Sequence, residues 1–207
     1  FLRLMLVTDA AMTARRGLVA TVEAAVAGGV TSVQLRDKDA DERAMIETAT
    51  RLKAALAGTG VPLIVNDRMT VAQAIGADGL HIGQGDGDPA EARGMIGADA
   101  ILGLSVTQAG EVATVDPRVV DYVGLGPVFA TTTKADAAAA LGATETARIG
   151  TTLPLPYVAI GGIDASNAAL LVGQGAAGVA VVSAICAADD PRAAAAHLRR
   201  VIDGAMA

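Results

Sequence analysis

Eight short apolar runs alternate with amphipathic helical patterns along the whole chain, and this alternation restricts the fold more than any other feature. The runs fall at 3–7, 32–35, 62–65, 79–82, 100–104, 122–124, 157–160 and 178–181. The helical patterns fall at 18–27, 41–56, 70–75, 89–96, 108–115, 144–151, 165–172 and 191–205. Near-continuous apolar strands are buried on both faces, as in parallel sheets covered by helices. A helix between two parallel strands makes a right-handed crossover. Eight such units are the number that closes a barrel. The sequence therefore predicts an α/β fold, a (β/α)8 TIM barrel, as one compact domain over residues 1–207.

The rival is an open, doubly wound sheet. No GxGxxG follows the first run, and polar residues follow nearly every run instead of gathering at one crevice. Glycines recur just before strands, in "AGGVTSVQ", "GADGLHIG" and "GAAGVAVV", where each would end the preceding helix. Aromatic residues are only 2% of the chain, so Ala, Val, Leu and Ile must build the core. The alanine run at 137–140 reads as the start of a helix or as a mobile loop.

The formal net charge of −6 argues against a nucleic-acid or anionic-membrane partner. An anion site must then be a local cluster of cations and backbone N–H groups. Cys186 stands alone, so no intramolecular disulfide framework forms, which suits a reducing cytoplasm. No apolar run approaches the roughly 20 residues of a membrane span. The opening "FLRLMLVTDA" turns polar too quickly for a signal peptide and reads as the first strand. A soluble, cytoplasmic protein is expected, and a homo-oligomer is left open.

In such a barrel the chemistry sits at the C-terminal ends of the strands. The second strand end supplies Gln34, Arg36 and Lys38 from "VQLRDK", which alternation places on one side, with Leu35 on the other. They form a candidate anion site; the plainer reading pairs Arg36 and Lys38 with Asp37, Asp39 or Asp41 on a solvated rim. Asn66 and Asp67 end the third strand, and "HIGQGD" after the fourth brings Gln84 and Asp86. Two carboxylates on neighbouring strands beside cations suit Mg2+, which takes one or two carboxylates plus phosphate oxygens and waters. Either aspartate could instead cap the helix that follows it. His81 lies inside an apolar strand and reads as a satisfied core histidine, His197 as surface and Cys186 as packing. Ser105 follows the fifth strand and "ATTTK" the sixth. "IGGI" and "VVSAI", after the seventh and eighth, match the place of the barrel's phosphate site.

These residues, taken together, resemble the thiamine phosphate synthase family. The likeness runs through "GGVTSVQLRDKDA", "PLIVNDR", "GADGLHIGQGD", "ILGLSV", "DYVGLGPVFATTTK", "YVAIGGI" and "GVAVVSAI", in the family's order and spacing. It implies a Mg2+-dependent transferase of thiamine biosynthesis with two small phosphorylated substrates. An aminopyrimidine methyl diphosphate would be joined to a thiazole phosphate, or its carboxylated form, with release of diphosphate. Carried over residue by residue, Gln34, Arg36, Lys38, Asn66, Ser105 and Lys134 would hold the pyrimidine diphosphate. Asp67 and Asp86 would bind Mg2+, and Thr131, Thr133, Gly162, Val182 and Ser183 would hold the thiazole phosphate. Arg36, Lys38 and Lys134 would act in catalysis by neutralising the leaving diphosphate. In the family that departure is largely dissociative, so no protein nucleophile is needed. The chain departs from the family pattern at Gly85 and Gly87, where many members carry an acidic and a larger apolar residue.

Three other readings compete. A thiazole tautomerase-type relative would not need the set Arg36, Lys38, Asp67, Asp86 and Lys134. A non-catalytic phosphate-ligand-binding barrel would show a broken carboxylate pair or lack Lys134. A phosphosugar isomerase would want a carboxylate or histidine base facing the sugar.

Overall fold

A computed structural model gives the architecture, and it describes residues 1–131 and 138–207. Eight parallel strands close into a barrel: β1 (Leu4–Val7), β2 (Ser32–Leu35), β3 (Leu63–Asn66), β4 (Gly79–Ile82), β5 (Ile101–Val106), β6 (Tyr122–Leu125), β7 (Tyr157–Ile160) and β8 (Gly178–Val181). Each strand pairs with its chain neighbours, and β8 returns to β1 through Leu6↔Val181. The barrel expected from the alternation is the barrel found. No described helix is long and apolar enough to cross a membrane.

Period-two alternation divides the apolar residues between two cores. Met5, Val7, Ile64, Tyr122, Val158 and Ala180 point inward and pack the barrel interior. Their strand neighbours, among them Leu4, Leu6, Leu63, Val65, Val179 and Val181, pack outward against the helices. Further inward positions are Gln34 on β2, His81 on β4, Gly103 and Ser105 on β5 and Gly124 on β6, so polarity and free space both fall inside the barrel near its mouth.

The helices are α1 (Ala10–Thr13), α2 (Leu18–Ala27), α3 (Glu42–Leu56), α4 (Met69–Ile75), α5 (Pro89–Ile96), α6 (Ala143–Gly150), α7 (Ala168–Gly173), α8 (Ser183–Cys186) and α9 (Pro191–Met206), with a 3-10 turn at Ala109–Thr114. Aspartates start several of them. Asp41 accepts from the N–H of Ala44, Asp88 from Ala90 and Glu91, and Asp190 from Ala193, so each satisfies N–H groups that a helix start leaves bare. Pro89 and Pro191 follow two of these caps, where the ring's fixed φ suits the first turn.

Local chemistry explains where elements differ from expectation. The seventh helix begins at Ala168 rather than 165 because an Asp164 turn holds the chain out of it. Asp164 Oδ1 accepts from the Ser166 N–H at 2.8 Å and Asn167 Oδ1 accepts from the Asp164 N–H at 3.0 Å. Around 108–115 a 3-10 turn replaces the expected α-helix, with Glu111 folded back to accept from the Thr107 N–H at 2.7 Å. Residues 138–140 belong to no helix or strand, and α6 starts after them; Ala137 lies outside the described residues. The four-residue helices α1 and α8 are too short to show a period in the sequence.

Candidate active site

The C-terminal ends of the strands open into a cavity of about 410 Å³. Gln34, Arg36, Lys38, Asn66, Asp67, Asp86, Ser105, Thr131, Gly162, Val182 and Ser183 all line it. Thr133 and Lys134 lie outside the described residues. Its floor is the inward apolar layer of the barrel, Met5, Val7, Val158 and Ala180. An organic ring can therefore sit low in the barrel while charged groups stay at the rim.

The cationic arc is held by its neighbours. Thr8, buried at the end of β1, donates its N–H to the Gln34 carbonyl at 2.9 Å and accepts from the Arg36 N–H at 3.0 Å through its hydroxyl. Arg68 donates to the carbonyls of Lys38 and Ala40, at 3.4 and 3.3 Å, across the next loop. Two aspartates of that loop serve the backbone: Asp37 accepts from the N–H groups of Asp39 and Ala40, and Asp41 caps α3. Lys38 turns to the cavity side instead, with Nζ 3.9 Å from Asp67 Oδ2.

The two candidate metal residues leave helix capping to others. Arg68 occupies the N-cap of α4, with no side-chain cap bond, and Asp88 caps α5. Asp67 adopts φ +60, in the left-handed region that non-glycine residues rarely enter. Its N–H donates to the His81 carbonyl at 2.9 Å, tying the residue to β4. Asp86 closes a tight turn, where its Oδ2 accepts from the Gly83 N–H at 2.6 Å. Gly87, at φ +126, leads out of that turn, and an added Cβ would fall 2.7 Å from Met69 Cε. The site thus presents two half-buried to exposed carboxylates from adjacent strands, all-oxygen donors beside cations. That donor set fits Mg2+. Among the described residues no group of three or more His, Cys, Asp and Glu gathers as a metal cage.

The β7 and β8 ends form a different arc. Gly161 and Gly162 carry positive φ, +102 and +63. A Cβ on Gly162 would lie 2.8 Å from the Ala130 carbonyl oxygen and from Phe129 Cβ, so this loop packs directly against the loop after β6. At Val182 the chain turns sharply into α8, whose first N–H groups face no intrahelical acceptor.

Sequence reasoning assigned no part in the site to three features. Gln84 donates to the Ser105 carbonyl at 2.8 Å and so ties the Asp86 loop to β5. Thr107 and Glu111 line the rim as a hydrogen-bonded pair. His81 has both ring nitrogens bonded, to Tyr122 and Ser105, as a satisfied core histidine would, yet it also lines the cavity. The signal for it was the inward parity of position 81 on β4.

A family model described as thiamine monophosphate synthase matches residues 4–185. The chain belongs to the thiamine monophosphate synthase family. It is 52% identical over 202 residues to the thiamine-phosphate synthase of Azorhizobium caulinodans, covering 98% of this chain and 95% of that one. The thiamine-phosphate synthase of Xanthobacter autotrophicus is 53% identical over 201 residues, with 97% and 95% covered. Among solved structures, thiamine phosphate pyrophosphorylase from Pyrococcus furiosus superposes with a TM-score of 0.89 at 32% identity, covering 100% of this chain and 98% of that one. The family inferred from the seven quoted segments is thereby established, and with it a transferase fold and class.

Proposed function

We propose that this chain joins an aminopyrimidine methyl diphosphate to a thiazole phosphate, or its carboxylated form, releasing diphosphate (and, from the carboxylated form, carbon dioxide as well) and giving thiamine phosphate. One observation carries the reading: a single cavity gathers a cation-and-carboxylate arc from β2–β4 and a glycine-and-N–H arc from β7–β8. Two arcs of different chemistry suit two phosphorylated reactants held at once.

Asp67 and Asp86 would hold Mg2+, which when bound supplies positive charge to the diphosphate oxygens. Arg36 and Lys38 bind the same diphosphate and stabilise the charge it gains as the carbon–oxygen bond breaks. Gln34, Asn66 and Ser105 orient the pyrimidine, whose electron-rich ring carries the positive charge left behind. Met5, Val7, Val158 and Ala180 keep water from the ring, so the carbon meets the thiazole nitrogen rather than solvent. Gly162, Val182, Ser183 and Thr131 grip the thiazole phosphate and aim that nitrogen, whose lone pair forms the new carbon–nitrogen bond. Thr133 joins this grip and Lys134 the diphosphate contacts on the strength of the family resemblance. Positioning and charge neutralisation suffice for the reaction, so the site needs no protein nucleophile.

A coupled assay of diphosphate release tests the reading. Release should require both substrates and Mg2+ together. Aromatisation of a thiazole without diphosphate release would favour the tautomerase-type alternative, and tight binding without turnover would favour a silent barrel.

A further inference from the structure

Inward residues of β4, β5 and β6 form a hydrogen-bonded line beneath the cavity. The Tyr122 hydroxyl is 2.8 Å from His81 Nδ1, and His81 Nε2 is 2.9 Å from Ser105 Oγ. The Gln34 amide lies beside this phenol, with its nitrogen 3.7 Å from Met5 Sδ. Tyr122 is wholly buried, whereas His81 and Ser105 reach the cavity wall.

Strand register makes room for this line. His81 pairs with Gly103, and Gly103 with Tyr122, so the residue between the two rings is a glycine. A Cβ at Gly103 would collide with both His81 Nδ1 and Tyr122 Cζ. Gly124, paired with Ser105, does the same on the other side, where a Cβ would come within 2.9 Å of His81 Cε1. Branched aliphatic side chains usually fill a barrel interior of this kind. Here two side chains are missing, and an imidazole lies in the gap.

Counting protons gives the line a direction. Burial pushes the Tyr122 phenol far above its ordinary value, so it keeps its proton. The neighbouring Gln34 amide opposes that shift without reversing it. A buried hydroxyl places its own proton on an acceptor, and His81 Nδ1 is the acceptor within reach. An imidazole that accepts at Nδ1 carries its proton on Nε2. Nε2–H then donates to Ser105 Oγ, and the serine's own proton is turned into the cavity.

We infer that Tyr122 and His81 are positioning residues that fix Ser105 as a hydrogen-bond donor to an acceptor lone pair on the pyrimidine substrate. The substrate half of this statement rests on the function proposed above; the direction of the line does not. A donor oriented in advance needs no reorganisation when the ligand arrives.

Selective 15N labelling of histidine reads the tautomer directly, because the chain has 2 histidines and the other, His197, is exposed. The wild-type protein should show His81 protonated at Nε2; protonation at Nδ1 would overturn the inference. In steady-state kinetics Tyr122→Phe, which removes one oxygen and keeps the ring, should raise the KM for the pyrimidine diphosphate by about tenfold, as for loss of one well-placed hydrogen bond. The KM for the thiazole phosphate should stay unchanged. The Tyr122→Phe effect should vanish in a Ser105→Ala background, and effects that simply add would reduce Tyr122 to packing. His81→Gln, which keeps an N–H donor near the Nε2 position, should retain the wild-type pyrimidine KM, whereas His81→Leu should lose it. Absence of diphosphate release by the wild type would defeat the proposed function, while the tautomer measurement would still decide the line.

Discussion

Lys38 Nζ approaches Asp67 Oδ2 to 3.9 Å across the ends of β2 and β3, joining the cationic arc of the cavity to its carboxylates. The distance is long for an ion pair, and the lysine is about half exposed (46% of its side chain), so the contact adds little stability. Its consequence is local: a cation beside one carboxylate prepares the place where a diphosphate and its metal would meet.

Asp67→Asn and Asp86→Asn should each lower coupling activity by roughly two orders of magnitude, since Mg2+ loses a charged ligand worth several kcal/mol to the transition state. Asparagine tolerates the left-handed region almost as well as aspartate, so Asp67→Asn should leave the melting temperature unchanged. Asp67→Val should lower it, because a β-branched residue at φ +60 is strained. Activity measured against Mg2+ concentration, with thermal melts on the same variants, separates the two effects. Full activity in either Asn variant, or after thorough chelation, would take the metal out of the reaction.

At Gly162 backbone and space point the same way. An L-residue at φ +63 costs on the order of 1–2 kcal/mol, and its Cβ would press on the Ala130 carbonyl at 2.8 Å. Gly162→Ala should therefore raise the KM for the thiazole phosphate and lower the melting temperature together. Gly162→Asp should weaken the thiazole phosphate further by charge repulsion, with pyrimidine diphosphate affinity little altered. Titration of both ligands against both variants checks this; equal weakening of the two would dissolve the division into two arcs.

Much of this was legible from parity alone. Eight apolar runs specify the barrel, and position within each run tells which side chains face inward, so alternation alone groups Gln34, Arg36 and Lys38. The Asp67 and Asp86 pairing followed from strand order. What stayed hidden depended on contacts between strands. Nothing in "GLHIG" says that Gly103 and Gly124 leave room for its histidine, because that space exists only in the register of three strands. The Asp164 turn was likewise masked, since "IDASNAALL" carries helix-forming residues and the side-chain bonds that delay α7 act over two and three positions. The short helix α8 has no period to read.

Cys186 gives a test on pH. It is buried behind Val7, and burial pushes its thiol up to about 11. The native state thus holds the proton more tightly than the unfolded chain does. The stabilisation is complete below the ordinary value near 9 and is lost as pH rises towards 11. At pH 8 the native thiolate fraction should be about a hundredfold below that of the unfolded chain. Iodoacetamide labelling followed by mass spectrometry, in buffer and in urea, should show at least that ratio. Comparable labelling rates in the two states would mean that the thiol is open to solvent.

Lys134 lies outside the described residues, so its role is proposed from the motif "ATTTK" and the family resemblance. Lys134→Met keeps most of the aliphatic stem and deletes the charge, so packing should barely change. A charge-assisted contact to phosphate contributes roughly 1.5–3 kcal/mol, or about one to two decades in rate if it strengthens in the transition state. Turnover should fall by that amount while the KM for the thiazole phosphate stays near wild type. Thr133→Val should do the reverse, raising the thiazole phosphate KM more than it slows saturated turnover. The pair of variants separates a lysine that meets the leaving group from one that merely attracts anions to the mouth. A lysine of the second kind would slow capture of both substrates, lowering kcat/KM for each while leaving kcat intact, with an effect that fades as salt is added. Loss of kcat that persists at high salt would place the Lys134 charge at the breaking bond.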